Sequence, residues 1–259
     1  MKRSAYILKF SLINHCFSRV LLFVLVVCSN LVFAQAQNKV VKRSYSIDEG
    51  LPSNRVYSVV QDSIDFMWMG TNNGLVRFDG NEFKTFRFDN RDSTSISSNN
   101  IQALLVDVDQ KIWIALDNGV DIYNPLNDTF QHFDLKTESG NSIKGRTVDI
   151  LEDKDKEIWI ATADNGIFRF SKKDEQLKQY TQDSEDPNSL AQNKITTLSR
   201  GTEDDIWIGT DNRGVSRFSK KTDTFTNYQA NDDSSALSGN AIQKIFRVIH
   251  LTSVYLFMI

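Results

Sequence analysis

The sequence predicts an all-β fold, a β-propeller built of four-stranded antiparallel blades. Tryptophans recur at intervals of 45, 46 and 48 residues, at Trp68, Trp113, Trp159 and Trp207. The text around them reads MWMGTNNG, IWIALDNG, IWIATADNG and IWIGTDNRG. Each interval holds four strand-like runs separated by turn residues, and this pattern is typical of a propeller blade.

Two further markers recur with the tryptophans, and we interpret them as architectural. A glycine ends each motif, at Gly74, Gly119, Gly166 and Gly214. An aromatic residue follows four positions later, at Phe78, Tyr123, Phe170 and Phe218. Glycine accepts a positive φ, which a tight hairpin turn requires. Large flat residues that recur once per repeat fill the layer between neighbouring blades, so we predict that these positions form the core.

The repeat boundaries divide the chain into segments. We predict complete blades at 54–88, 99–135, 146–182 and 193–230, and single partial strands at 40–47 and 240–246. The propeller region is therefore 37–246, with about four complete blades, partial strands at both ends and an incomplete ring. The tail at 247–259 lacks the tryptophan that the repeat predicts, which favours a broken reading frame or a truncation. The alternative is a divergent capping strand.

The first 36 residues have the features of a secretory signal peptide. Basic residues precede an apolar run, and Ala34 and Ala36 give an A-x-A cleavage pattern. A lipoprotein site at Cys28 and an uncleaved anchor are less favoured, because Val27 is bulky and the run is shorter than the roughly 20 residues needed to span a membrane. We expect the mature chain to be periplasmic or extracellular, with no membrane span of its own.

The composition argues against several function classes. The chain has 30 basic and 33 acidic residues, a formal net charge of -3 and no Lys/Arg-rich run, so we expect no nucleic-acid partner. The three histidines show no metal-ligand or nucleophile spacing. We therefore expect no catalytic residue, no metal and no cofactor. Several aspartates fall at recurring positions where we interpret them as turn formers: Asp62, Asp107, Asp153, Asp204 and Asp205.

The repeats resemble the two-component regulator propeller repeats, whose hallmark text is close to N-x-V-x-x-I-x-x-D-x-x-G-x-I-W-I-G-T-x-x-G-G-L-x-R-F. The matching stretches include NRVYSVVQDSIDFMWMGTNNGLVRF and NKITTLSRGTEDDIWIGTDNRGVSRF, and the likeness covers residues 39–246. It implies the periplasmic sensor region of a hybrid sensor histidine kinase. It also implies an oligosaccharide ligand and output through transcription of glycan-utilisation genes. The expected function is thus a ligand-sensing propeller fragment that lacks kinase and transmembrane parts.

Other functions remain open at this point. The chain could be a short exported structural or adhesive repeat protein, or a non-functional truncated product. A propeller carbohydrate-active enzyme is less favoured, although propellers host hydrolases and lyases. Open edges would invite pairing with another chain, so we expect poor solubility or self-association. A homodimer through the propeller edges is what the family resemblance implies.

Polar residues that do not recur from copy to copy are the ligand-site candidates. They fall in connections that strand order places on one face: Arg91, Lys144, Arg146, Asp164 and Arg213. Arg146 stands out because the other copies have an asparagine at what we take as its register, at Asn54, Asn99, Asn193 and Asn240. The alternative is that all five are solvated loop charges.

Overall fold

The computed structural model describes residues 43–136, 140, 142–202, 204–230, 237–250 and 253–258. The predicted signal peptide, residues 1–36, lies outside these ranges. Within them, no helix is both long enough and apolar enough to cross a membrane. Apart from one short 3-10 helix (Ile47–Glu49), the regular secondary structure in these ranges consists of β-strands.

Four antiparallel sheets of four strands each lie in the four repeats, and every sheet keeps the strand order of the sequence. Blade 1 consists of β1 (Val56–Gln61), β2 (Met67–Thr71), β3 (Gly74–Phe78) and β4 (Phe83–Phe86). Blade 2 consists of β5 (Ile101–Val106), β6 (Ile112–Leu116), β7 (Gly119–Asn124) and β8 (Thr129–Phe133). Blade 3 consists of β9 (Thr147–Glu152), β10 (Ile158–Thr162), β11 (Ile167–Ser171) and β12 (Gln176–Tyr180). Blade 4 consists of β13 (Ile195–Arg200), β14 (Ile206–Thr210), β15 (Val215–Ser219) and β16 (Thr224–Tyr228).

The predicted all-β propeller of four-stranded blades is confirmed. The first strands of successive blades contact one another, so they form the inner wall. Hydrogen bonds join two pairs of neighbouring first strands: Leu104 N donates to Ser58 Oγ at 3.1 Å, and Thr197 Oγ1 and Leu198 N donate to Asp149 Oδ2 at 3.1 and 2.9 Å. Blade-to-blade contact is therefore polar at the inner wall and apolar between the sheets.

The partial strand predicted at 40–47 is absent from the part of that segment that the structure describes. Residues 43–46 have no regular secondary structure, and Ser46 caps the 3-10 helix that follows. Tyr45 packs its ring against Phe78 and Phe83, with centroids 4.9 and 5.5 Å away. The last strand of a blade needs the third strand of the same blade as its partner. Among the described residues, no third strand pairs with residues 43–47, so the predicted strand is wrong for these residues.

The partial strand predicted at 240–246 begins later than expected. It is β17 (Ile245–His250), which pairs with β18 (Ser253–Met258) in a two-stranded antiparallel sheet. Residues before it attach to blade 4 directly, because Ile242 N donates to Thr210 O at 3.1 Å. Ile242 and Ile245 are buried against Val215. This segment therefore lies where the next blade would pack.

The tryptophans connect neighbouring blades. Trp68, Trp113 and Trp159 are 0–1% exposed. Each packs against the aromatic residue that closes the third strand of the next blade, with centroid distances of 5.1, 6.0 and 4.9 Å for the pairs Trp68–Tyr123, Trp113–Phe170 and Trp159–Phe218. Trp207 of blade 4 is only partly buried, since no complete blade covers it within the described residues. Burial of the indole rings therefore depends on the neighbouring blade.

Hairpin geometry explains three of the recurring glycines, Gly74, Gly166 and Gly214, because each combines a positive φ with a carbonyl oxygen less than 3 Å from an added Cβ. Gly166 has a φ of +71°, and a Cβ at this position would lie 2.2 Å from the carbonyl oxygen of Tyr180. Only glycine satisfies both conditions. Gly119 has the same place in blade 2, yet an added Cβ there would meet nothing within 4 Å. The recurring glycines thus differ in whether a nearby carbonyl oxygen leaves room for a Cβ.

A buried aspartate lies six residues before each of the first three tryptophans. Its Oδ2 accepts the indole Nε1–H at 2.8, 2.9 and 2.8 Å in the pairs Asp62–Trp68, Asp107–Trp113 and Asp153–Trp159. Its Oδ1 accepts the backbone N–H groups two and four residues later, which fixes the turn between the first two strands. These aspartates are turn formers, as predicted, and they also satisfy an indole N–H that burial would otherwise leave unpaired.

We expect Asp107→Ala to lower the free energy of unfolding by about 3–5 kcal/mol, because it removes a buried carboxylate that the Trp113 indole and a charged partner both use. Urea unfolding measures this loss. The matched control is Asp92→Ala, which removes an exposed turn carboxylate that accepts only from Thr94. The control should cost less than about 1 kcal/mol. Equal losses in the two variants would contradict a special role for the buried aspartate.

Candidate functional site

The propeller has two faces with different loops. We call the first the connection face; it consists of the blade-to-blade connections at 87–100, 134–146 and 181–194 and the turns between second and third strands. Hydrogen bonds join these elements, since Gly166 N donates to Asn193 O and Asp117 N to Asn100 O. The opposite side is the turn face, formed by the turns between first and second and between third and fourth strands.

All five candidate side chains are exposed, and strand order puts them on the connection face. No hydrogen bond or ion pair joins any two of them in the part of the chain that the structure describes. The Arg91 guanidinium lies within its own loop, 3.3 Å from Asp89 Oδ1. Arg146 and Asp164 lie at the same end of blade 3, because Ala163 N donates to Arg146 O at 2.8 Å. The five residues therefore do not form one cluster.

Strand pairing corrects the register of Arg146. Thr147 pairs with Thr162 as Ile101 pairs with Leu116, so Gly145, and not Arg146, is equivalent to Asn99. The third copy has one residue fewer between Ile143 and Trp159 than the other copies have at the same place. Alignment on Ile143 therefore shifts Arg146 by one position. The true equivalents of Arg146 are Arg55, Asn100 and Lys194. The contrast with asparagine at this register was therefore wrong.

At the corrected register, Arg146 still differs from two of its equivalents, Asn100 and Lys194, in its side-chain partners. Asn100 Nδ2 donates to Asp117 Oδ2 at 3.3 Å, and Lys194 Nζ lies 3.1 Å from Asp211 Oδ2. Blade 3 has Ala163 in place of that aspartate. The Arg146 guanidinium consequently has no hydrogen-bond or ion-pair partner among the described residues. Its side chain is exposed where the chain enters the first strand of blade 3.

Arg55 has the same place in blade 1 and was not singled out from the sequence. Its side chain is exposed and, within the described ranges, has no hydrogen-bond or ion-pair partner. Residue 72, at the register of Asp117 and Asp211, is an asparagine. A strand-aligned comparison of the four copies would have found this position. A basic residue therefore directly precedes the first strand in blades 1, 3 and 4.

One connection is anchored by a buried aspartate. Asp121, 1% exposed, accepts from Ser97 N at 2.7 Å, from Ser97 Oγ at 2.8 Å and from His132 Nδ1 at 2.8 Å. His132 Nε2 faces the carbonyl oxygen of Ser93 at 3.1 Å. Both ring nitrogens face acceptor oxygens, so only the imidazolium form satisfies both. The Asp121 hydrogen bond is the main cause that raises the pKa of His132 above its ordinary value.

This trio contains the residue types of a hydrolase triad, but in a different arrangement. Ser97 Oγ donates to Asp121 and not to the histidine, and both His132 ring nitrogens already have partners. A catalytic serine needs an imidazole nitrogen as its proton acceptor. In blade 4 the corresponding residues are Ser216 and Asn227, which hold connection 181–194 in the same way. The trio is therefore an anchor for the connection.

Lysines on the turn face bridge neighbouring blades. Lys172 Nζ lies 3.2 Å from Asp107 Oδ2, 2.9 Å from Asp109 Oδ2 and 2.8 Å from Glu152 Oε1. Burial lowers the pKa of Lys172, but the hydrogen bonds to Glu152 and Asp109 outweigh it and raise the pKa above its ordinary value. Lys220 makes the equivalent bridge from blade 4 to blade 3.

One acidic group has spacing that could suit a metal ion. Oxygen atoms of Asp153, Asp155 and Glu157 lie within 4.8 Å of one another. Lys220 Nζ already lies among them, at 2.7, 2.5 and 3.0 Å. An ammonium group at this centre neutralises the carboxylates and takes the position that a cation would need, so we assign the group to blade packing.

Comparison with known proteins agrees with this fold. A family model described as "Two component regulator propeller" matches residues 50–73. A histidine kinase named P4, from Formosa agariphila, is 47% identical over 64 residues, which are 25% of this chain and 5% of that protein. The chain thus spans a small part of this relative.

Solved structures share the architecture. Two structures of an extracellular domain from B. thetaiotaomicron, attributed to a putative one-component or hybrid two-component system, superpose with TM-scores of 0.66 and 0.62. They are 21% and 23% identical, and the alignments cover 84% and 79% of this chain but 27% and 28% of theirs. Virginiamycin B lyase from Staphylococcus aureus also superposes, with a TM-score of 0.55, 13% identity, and coverage of 78% of this chain and 69% of the lyase.

Extracellular domains of putative one- or two-component systems and an enzyme therefore share this fold, and the fold alone does not distinguish their functions. At the level of sequence, a family model and a histidine kinase each match part of the chain. The chain is a β-propeller, and its repeats are similar to the two-component regulator propeller repeats, whose family model matches residues 50–73.

Proposed function

We propose that the chain is the ligand-sensing propeller of an extracytoplasmic two-component regulator, and that its ligand is an oligosaccharide. The observation that carries this proposal is the Arg146 guanidinium, which has no hydrogen-bond or ion-pair partner among the described residues, in a chain that partly matches a histidine kinase. Guanidinium groups donate several hydrogen bonds in a fixed plane, and sugar hydroxyls accept them. The proposed role is binding, without catalysis.

The proposed site is the part of the connection face around the inner wall. Arg146 and Arg55, which have no side-chain partner in the described part of the chain, supply donors there, and Asp164 supplies an acceptor at the same end of blade 3. Lys144 and Arg213 belong to neighbouring loops of the same face and extend the proposed site. A location outside the cytoplasm is part of the proposal; the signal peptide predicted at 1–36 and the extracellular domains among the similar structures support it.

We expect Arg146→Ala to weaken oligosaccharide binding about tenfold or more, because a hydrogen bond from a charged donor contributes about 1.5–3 kcal/mol. Short neutral and acidic oligosaccharides are screened against the chain by thermal shift, and the best is measured by isothermal titration calorimetry. The matched control is Lys173→Ala, which removes an exposed charge on the turn face. Absence of binding across the panel, or equal effects of the two substitutions, would argue against the site.

The connection at 87–100 should respond to pH through His132. Its pKa is raised in the folded chain, so protonation stabilises the fold. That stability is fully present below the unfolded pKa of about 6.5 and is lost as pH rises through the folded value. We expect His132→Asn, which copies Asn227 of blade 4, to remove this part of the pH dependence of unfolding. The prediction fails if wild type and variant show the same pH profile above pH 6.5.

Self-association through an open blade face is the second part of the proposal. Val59 is 50% exposed, whereas Leu104, Ile150 and Leu198 at its register are 5–6% exposed, because a preceding blade covers each of them. Val56 and Tyr57 of the same strand are also exposed. An apolar sheet face of this kind is complementary to another blade, so a second copy of the chain is the partner we propose.

We expect the wild-type chain to form dimers or larger species in sedimentation experiments, and Val59→Lys to shift it toward monomer. The matched control is Val108→Lys, which adds the same charge at a residue of similar exposure, 48%, on the turn face. A wild-type chain that sediments as a monomer and unfolds cooperatively would refute the proposal.

A further inference from the structure

The three blade interfaces differ in one respect on the turn face. Blades 2 and 3 are bridged by Lys172, and blades 3 and 4 by Lys220; these side chains are only 20% and 16% exposed. In both cases the ammonium contacts Oδ2 of the aspartate that also accepts the tryptophan N–H, at 3.2 Å in Asp107 and 2.7 Å in Asp153. The same carboxylate oxygen thus accepts hydrogen bonds from an indole N–H and from an ammonium group.

The interface between blades 1 and 2 has the aspartate without the lysine. Pro125 takes the register of Lys172 and Lys220. The turn itself is unchanged, because the residue at its end has a φ of 55°, 56° and 56° in Asp128, Glu175 and Asp223. The missing ammonium is therefore a matter of residue identity and not of backbone shape.

A cavity of about 250 Å³ lies at this place. Asp62 lines it, is 8% exposed, and accepts the Trp68 N–H like its equivalents. Asp109 and Gln110 add polar atoms at one side. Among the residues that the structure describes, none of those lining the cavity is basic. A carboxylate that elsewhere in this chain contacts an ammonium here faces a cavity.

The rest of the wall is apolar. Ile64 is 67% exposed and Leu126 is 94% exposed, and both line the cavity beside Pro125. Ile64 takes the register of Asp109 and Asp155, the second carboxylates of the lysine clusters. The cavity thus combines one acidic group with an aliphatic surface, which suits a cation that carries a hydrocarbon chain.

We propose that the cavity between blades 1 and 2 binds a primary alkylammonium ion. The ammonium takes the position beside Asp62 Oδ2 that lysine Nζ takes in the other two interfaces. The hydrocarbon chain packs against Ile64, Pro125 and Leu126. Such an ion can be a free amine or the side chain of a lysine in a peptide, and the two share this chemistry.

A bare metal ion suits the cavity less well. Calcium and magnesium bind through several oxygen ligands, and Ile64 removes one of the carboxylates that the other interfaces have. Asp109 is committed to Lys172, with Oδ2 2.9 Å from Nζ. An ammonium needs only a few acceptors, and its hydrocarbon chain gains from the apolar wall.

The test titrates the full chain with n-pentylammonium chloride by isothermal titration calorimetry, with 1-pentanol as the neutral isostere. We expect a Kd on the order of 1 mM for the ammonium and at least tenfold weaker binding of the alcohol. An Nα-acetyl-lysine amide is titrated in parallel. Binding of the lysine derivative alone identifies a peptide side chain as the source, and binding of pentylammonium alone identifies a free amine.

Two substitutions locate the site. Pro125→Lys restores the internal lysine in an unchanged turn, so it should abolish pentylammonium binding and raise the melting temperature. Asp62→Asn should weaken binding about tenfold or more. Pro125→Lys keeps the test decisive if Asp62→Asn fails to fold.

The reverse experiment creates the site in another interface. Lys172→Ala leaves the carboxylates of Asp107, Asp109 and Glu152 without their cation, and added pentylammonium should recover part of the lost melting temperature. The control is Lys84→Ala, which breaks an exposed pair with Asp128 and should show no recovery beyond that of wild type. Equal binding of ammonium and alcohol, or unchanged binding in Pro125→Lys, would overturn the proposal.

Discussion

Burial of Trp68, Trp113 and Trp159, each between its own blade and the next, is the constraint on which the rest of this structure depends. A four-stranded sheet has two faces, and neither can be buried within one repeat. The indole ring covers the next blade through its contact with Tyr123, Phe170 or Phe218, and it brings an N–H group into the core. The aspartate six residues earlier accepts that N–H and fixes the turn that leads into the tryptophan strand. Packing and hydrogen bonding are thus satisfied by one pair of residues.

The carboxylate that satisfies the indole introduces a negative charge at the edge of each interface. Lys172 and Lys220 neutralise it from the following blade, whereas the interface between blades 1 and 2 has Pro125 instead. Blade 4 lacks this aspartate, because Gly201 stands in its place. Its Asp205 accepts a hydrogen bond from Arg217 instead. The repeats therefore share one packing scheme but differ in how they balance charge, and these differences give each interface its own chemistry.

Polar side chains on the connection face fall into two groups. Some have hydrogen-bond partners within the propeller, and others have none among the described residues. Asp121, Ser97 and His132 resemble catalytic residues by type, but each has its hydrogen bonds within the anchor of one connection. Lys194 is likewise held by Asp211. Arg146 and Arg55 lack such partners among the described residues, and this freedom, more than their charge, makes them the best candidates for ligand contact. A side chain already engaged would have to give up a bond before it could bind a sugar.

The sequence by itself determined the blade architecture, because tryptophan, glycine and aromatic residues recur at a nearly fixed interval and each strand pairs with its neighbour in the chain. It left two registers for Arg146, one counted from Ile143 and one counted from Trp159, because the third copy has one residue fewer between these two positions; strand pairing selects the second. It could not show that residues 43–46 lack a strand partner. Nor could it pair Lys172 with Asp107, because the ammonium and the carboxylate come from different blades. Tertiary structure decided these points, since contacts between blades join residues that are far apart in sequence.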